Sequence, residues 1–264
     1  MSTSQTLVIG LGEVGRPLLN ILQQIDPTVV GVDIEPQSFD NPIDTLHVCF
    51  PFEISTGFVS ATVAYAKQYS PEMIVLHSTV SPGTTKEVEA VVDCPVVYSP
   101  IRGKHNEMES ELRHYRKFIA SRDEEAAKKV QAQFEKADIP TQIIASPEGL
   151  ELAKLLETTY FGMLIGWAQE MNRFCEKMGA SYEDMSLFFE EIGYLPPKVF
   201  VPGHIGGHCV IPNAQILQSQ FGSKFLEALI DSNDRRAEEL EVDIQTVEAK
   251  DRVRLEPRTH QTNS

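Results

Sequence analysis

What most constrains the fold is the rhythm of the first 146 residues, where short apolar runs of strand length alternate with stretches of helical period. Thr6 to Gly10 (TLVIG) is such a run, and it breaks directly into glycines, as a buried strand meeting a turn does. A helix is expected from about Val14 to Gln24 and a second strand over Val29 to Asp33. Only about a dozen residues, two of them proline, separate Asp33 from the next run, Thr45 to Phe50. That is too few for a crossover helix, so the sheet is predicted to be trimmed here. Further strands are expected over Met73 to Val80, Val96 to Ser99, Phe118 to Ser121 and Gln142 to Ala145. Ser81-Pro82 reads as an N-cap and first helical residue of a helix toward Val92. Ser121 with Glu124 reads as a capping box for a helix through Lys136. Alternation of this kind predicts an α/β domain with a mainly parallel sheet covered on both faces.

The pattern changes at Ser146-Pro147. From there to Met178, Leu150, Ala153, Leu156, Phe161, Leu164, Ala168, Met171 and Cys175 recur at helical spacing, which predicts one unusually long helix. Helices are also expected after Ser181 and over Lys224 to Val242. The division expected is therefore 1–146 as sheet domain, 147–246 as all-helical domain and 247–264 as a disordered polar tail. Trp167 and Tyr160 add to the apolar girth of the long helix, so a homodimer packed on it is expected. A net charge of -15 argues against a nucleic-acid partner. No window has the apolar length of a membrane span, and the N-terminus lacks the features of a signal peptide. The four cysteines, Cys49, Cys94, Cys175 and Cys209, have no zinc-ligand spacing, so no metal is expected and a reducing, cytoplasmic setting is.

Gly10-Leu11-Gly12-Glu13-Val14-Gly15 matches G-x-G-x-x-G between a predicted strand and helix, with Asp33 about twenty positions on. That context predicts a Rossmann-type dinucleotide site. The glycines permit the tight turn and close backbone approach to a pyrophosphate, whose charge sits at the helix N-terminus. Asp33 would accept hydrogen bonds from the adenosine ribose and repel a 2′-phosphate, which favours NAD over NADP.

Three further segments do not look like scaffold. They are Ser78-Thr79-Val80-Ser81-Pro82-Gly83-Thr84-Thr85, the start of the long helix with Lys154, and Pro202-Gly203-His204-Ile205-Gly206-Gly207-His208-Cys209. In this order they resemble the UDP-glucose/GDP-mannose dehydrogenase family, the nucleotide-sugar 6-dehydrogenases, over about residues 5 to 240. The G-G-H-C form looks most like the UDP-N-acetylmannosamine dehydrogenase branch, and Glu151, Asn172 and Asn233 also fit the family's central domain. The resemblance implies a primary alcohol oxidised twice with two NAD, on a small-molecule substrate of the nucleotide-sugar class. Cys209 would attack the aldehyde to give a thiohemiacetal and then a thioester. Lys154 would stabilise the oxyanion, His208 would act as base for hydrolysis, and Thr79 would sit near the nicotinamide. His204 and His105 are read as loop residues without a role.

Three departures qualify this. The family has a third, nucleotide-gripping domain, and the chain is read as lacking it. The asparagine expected one turn after Lys154 is Thr158, which has one donor where an amide has two. The loop from Ser99 to His105 has no acid until Glu107, and Arg102 and Lys104 there are candidates for an anionic substrate group. Two other readings stay open: a two-electron dehydrogenase of a small hydroxy acid using Lys154, and a silent NAD-binding subunit that needs a partner chain.

Overall fold

The computed structural model describes residues 4–35, 37–52, 57–103, 107–190 and 200–240. Contacts divide the chain into two units, Met1–Lys154 and Leu155–Ser264. The tail expected at 247–264 lies outside the described residues.

In the first unit seven strands form one sheet: β1 (Gln5–Ile9), β2 (Val30–Val32), β3 (Ile43–Val48), β4 (Met73–Leu76), β5 (Val96–Tyr98), β6 (Lys117–Ser121) and β7 (Thr141–Ile143). Their order is β2-β1-β3-β4-β5-β6-β7, parallel throughout except for the antiparallel β5–β6 pair. β2 stands at an edge, so the sheet is trimmed where the short Asp33–Thr45 connection predicts. The chain steps from β2 across β1 to β3, which makes β1–β3 a topological switch point.

Strand periodicity of two sends alternate residues to opposite faces. Val8, Val75 and Val97 pack on one side with Leu18 and Leu22 of α1 (Gly15–Ile25) and Val130 and Phe134 of α5 (Glu124–Lys136). Leu7, Ile9, Ile74 and Leu76 pack on the other with Phe58 of α2 (Phe58–Tyr69) and Val88 of α3 (Thr84–Glu89). α2 and α4 (Met108–His114) are helices that the sequence reading does not single out.

Two caps differ from expectation. α3 starts at Thr84, because Gly83 adopts φ 101° and ends the turn in which Ser81 O accepts from Thr84 N at 3.1 Å. Neither Ser81 nor Pro82 opens the helix. At α5 the cap is Asp123, whose carboxylate accepts from Ala126 N at 2.9 Å. Ser121 Oγ is engaged elsewhere, donating to Val96 O at 2.8 Å.

The long helix is present as α6 (Pro147–Met178), capped by Ser146 Oγ accepting from Gly149 N at 3.0 Å. α7 (Tyr182–Glu190), α8 (Val210–Phe221) and α9 (Lys224–Glu239) follow in the second unit. α8 is not among the helices expected from the sequence; its Pro212 stands in the first turn, where proline is tolerated. On α6, Leu156, Tyr160, Trp167, Phe174 and Met178 are exposed and share one helical face, while Leu155, Ile165, Ala168 and Met171 turn inward. Leu156 and Ala153 therefore lie outside the predicted inward stripe.

Candidate active site

The parallel strands end together at one edge of the sheet, and β1 delivers Gly10 there at φ 86°. A side chain at Gly10 would meet Phe50 N at 2.6 Å, and one at Gly15 would meet Gly10 O at 1.9 Å. These two glycines let the turn close against β3 and α1. Gly12 differs: a Cβ there has nothing within 4 Å. The loop thus leaves open space over its middle glycine and a helix whose N-terminus no side chain caps. Uncapped first-turn amides favour an anion. Glu13 is exposed and Val14 half-buried at the N-cap position of α1. Asp33, exposed just past β2, accepts from Leu11 N at 3.4 Å, which ties its carboxylate to the glycine turn. These residues fit a dinucleotide: space, amide dipoles and a carboxylate stand together at the switch point.

Thr79 is half-buried just beyond β4, and its neighbour Ser78 donates to Phe50 O at 2.5 Å. The rest of that segment is anchored by Glu151, a residue the sequence reading names without giving it a task. Its carboxylate, fully buried, accepts from Gly83 N at 2.6 Å, Thr85 N at 2.7 Å and Thr85 Oγ1 at 2.6 Å. Burial nevertheless holds its pKa above the usual carboxylate value, and its charge adds to the burial that raises Tyr98. The first turns of α6 are thereby fixed to the 83–85 turn. Lys154, half-buried, follows Glu151 within that helix. Of the expected anion-binding pair, Arg102 lies over the rings of Tyr115 and Phe118 (5.6 and 5.0 Å) and donates to Arg116 O at 2.7 Å. Lys104 and His105 lie outside the described residues.

In the second unit Cys209 is half-buried at the N-cap of α8 and His208 is exposed beside it. A cysteine at a helix N-terminus has its thiolate form favoured by the helix dipole. The loop leading to it is held by side-chain amides. Asn233 Oδ1 accepts from Ile205 N at 2.7 Å, and its Nδ2 donates to Ile205 O at 3.2 Å. Gln169 Nε2 donates to Gly203 O at 2.7 Å, and Ser232 Oγ donates to Gln169 Oε1 at 2.9 Å. His204, expected as an unremarkable loop residue, is buried at 1% exposure. Thr158 donates to Leu155 O at 3.1 Å and accepts from Asn213 Nδ2 at 2.7 Å. Asn213 stands one turn after Cys209 on α8, so an amide lies against position 158 although it comes from another helix.

The UDP-N-acetyl-D-mannosamine dehydrogenase of Methanococcus maripaludis (strain C7) is 25% identical over 282 residues, covering 86% of this chain. That of Methanocaldococcus jannaschii is 22% identical over the same share of the chain. This chain spans 64% of the length of these relatives. Among solved structures, a UDP-D-ManNAc dehydrogenase from Pyrococcus horikoshii superposes with a TM-score of 0.78 at 18% identity, covering 90% of this chain and 70% of that one. A Mycobacterium tuberculosis 3-hydroxyisobutyrate dehydrogenase superposes at 0.66 and 14% identity, covering 89% and 94%. These likenesses establish the α/β-plus-helical fold. Residues 148–235 match the UDP-glucose/GDP-mannose dehydrogenase family, central domain.

Proposed function

We propose that this chain is an NAD-dependent dehydrogenase that oxidises an alcohol of a nucleotide-sugar substrate. The observation that carries the reading is the open Gly12 position, with the uncapped α1 N-terminus and the tethered Asp33, at the β1–β3 switch point. Gly10, Gly12, Glu13, Val14 and Gly15 would hold the pyrophosphate, Asp33 the ribose, and Thr79 the nicotinamide end. Bound NAD supplies the hydride acceptor. Cys209 Sγ, poised by the α8 N-terminus, adds to the aldehyde carbon to give a thiohemiacetal, and a thioester follows its oxidation. Lys154 stabilises the alkoxide by its positive charge. His208 accepts a proton from the water that hydrolyses the thioester to carboxylate and free thiol. Thr158 and Asn213 together replace the family's helix asparagine, with Asn213 supplying the amide. The exposed stripe Leu156–Tyr160–Trp167–Phe174–Met178 on α6 supports a homodimer, and the scattered cysteines fit a reducing cytoplasm.

A two-electron dehydrogenase of a small hydroxy acid is the second reading, favoured by the 94% coverage of the 3-hydroxyisobutyrate dehydrogenase fold. NADH formed per substrate consumed separates the two, measured with UDP-sugars and hydroxy acids on the wild type and Cys209→Ala. Two NADH per UDP-sugar, falling to one or none in the variant, supports the thioester route. One NADH from a hydroxy acid, unchanged in the variant, supports the second reading. No turnover with NADH still bound refutes both and leaves a silent subunit.

A further inference from the structure

A chain of buried polar groups runs through the sheet beneath the cofactor edge, and nothing in the reaction above uses it. His47 on β3 and His77, just past β4, are 0% and 2% exposed, with His47 Nδ1 and His77 Nε2 2.8 Å apart. His47 Nε2 faces Gln133 Oε1 at 3.0 Å, and His77 Nδ1 faces Ser99 O at 2.8 Å. Lys117, 4% exposed at the start of β6, reaches the same carbonyl: its Nζ donates to Ser99 O at 2.7 Å and to Pro100 O at 3.3 Å.

Proton counting shows which forms fit. With oxygen acceptors at both ends, the two imidazoles would need three protons, whereas a neutral pair has two. Rotating the Gln133 amide, so that its nitrogen donates to His47, removes the mismatch without a buried charge. Lys117 obeys the same logic. Two carbonyls take two N–H bonds, which is what a neutral amine has to give. The third proton of an ammonium would face the Phe134 ring, at 5.2 Å. Among the described residues no carboxylate lies within ion-pair distance of Lys117.

We propose that Lys117 and His77 form a latch on the Ser99 carbonyl, closed when both are neutral and released by protonation, so that Lys117 is a positioning residue for the loop carrying Arg102. Ser99 and Pro100 lead from β5 into that loop, and β4 leads from His77 into Ser78 and Thr79. The latch therefore sets two of the strand ends that border the candidate cofactor edge.

The electrostatic surroundings push the same way. Burial, with lesser contributions from Lys154 and Arg102, brings the Lys117 amine down to about 7, and Cys49 opposes this. Burial also takes His77 well below its ordinary value, helped by Lys117 and His47. His47 carries further influences, a lowering one of Lys117 and a raising one of Asp44. From α4, Glu111 lines the small cavity flanking Lys117, together with Arg116 and Tyr115 just beyond. Because the closed state has the lower amine pKa, the linkage sign is fixed: an opening that takes Lys117 to water binds a proton, so opening is suppressed as pH rises above about 7.

Hydrogen exchange of residues 99–103 in the full chain tests this without any cofactor. Protection factors of the wild type should rise between about pH 7 and 9, by up to tenfold per unit, as the closed Lys117 gives up its proton. K117Q keeps a donor to the carbonyls but cannot titrate there, and its profile should be flat between about pH 7 and 9. K117M, which has no donor, should lower protection at every pH. A flat wild-type profile, or the same slope in K117Q, overturns the latch. Should K117M not fold, the wild-type and K117Q profiles decide alone. NADH binding measured alongside keeps the cofactor reading separate: no binding at any pH refutes that reading and leaves the latch to the exchange data.

Discussion

Replacing His47 with glutamine tests how much of the protein's acid stability resides in one buried imidazole. In the folded chain burial holds His47 down at about 3. In the unfolded chain it titrates near its ordinary value of 6.5. A folded pKa below the unfolded one gives stability that is complete above pH 6.5 and is lost as pH falls toward 3. At about 1.4 kcal/mol per pH unit, His47 alone removes about 2 kcal/mol between pH 7 and pH 5. His77 acts with the same sign. His47→Gln should be less stable at neutral pH by about 1–3 kcal/mol, because the His77 and Gln133 partners lose a matched group. The decisive quantity is the difference between pH 7 and pH 5, which should be about 2 kcal/mol smaller in the variant. Urea unfolding followed by far-ultraviolet circular dichroism is the assay. The single tryptophan, Trp167, belongs to the helical unit and does not report on the sheet. Carboxylate titration is common to both proteins and cancels. Parallel stability curves would refute the reasoning, since they would mean that His47 is not kept neutral by its burial.

Two further outcomes follow from the site. Gly12→Ala should leave the unfolding midpoint unchanged and weaken NADH binding at least tenfold, whereas Gly15→Ala, with its Cβ 1.9 Å from Gly10 O, should lose binding and stability together; equal effects in fluorescence titration and thermal melts would refute the distinction. Glu151→Gln should destabilise by about 2–3 kcal/mol in urea, because an amide turns a donor toward the Gly83 and Thr85 N–H groups, and a variant as stable as wild type would show that the carboxylate does not anchor that turn.

Much of the first unit is legible in the chain because its signals are local. The TLVIG run, the glycines and Asp33 lie within 28 residues of one another, and each has a single conformation that satisfies it. The Ser146 cap of α6 is legible for the same reason. The caps of α3 and α5 are not. Ser81 and Ser121 are good caps by residue type, but Gly83 and Asp123 compete for the same task. Ser121 turns instead to Val96 O on the neighbouring strand, a partner 25 residues away. Cys209 is found by its resemblance to a motif, while α8, which places it at a helix end, is not among the expected helices.

By itself the sequence determines the alternation of strands and helices, the glycine turn with its carboxylate, and the long helix that follows, because hydrophobic period, caps and turns act between near neighbours. Only the tertiary structure decides what the buried polar residues do. His47, His77, Lys117 and Glu151 carry no local signal, since each is ordinary on a surface and acquires meaning from partners up to 86 residues away. The physical reason is desolvation: a polar group removed from water must be matched by another group in space, and only the folded chain brings that group within reach.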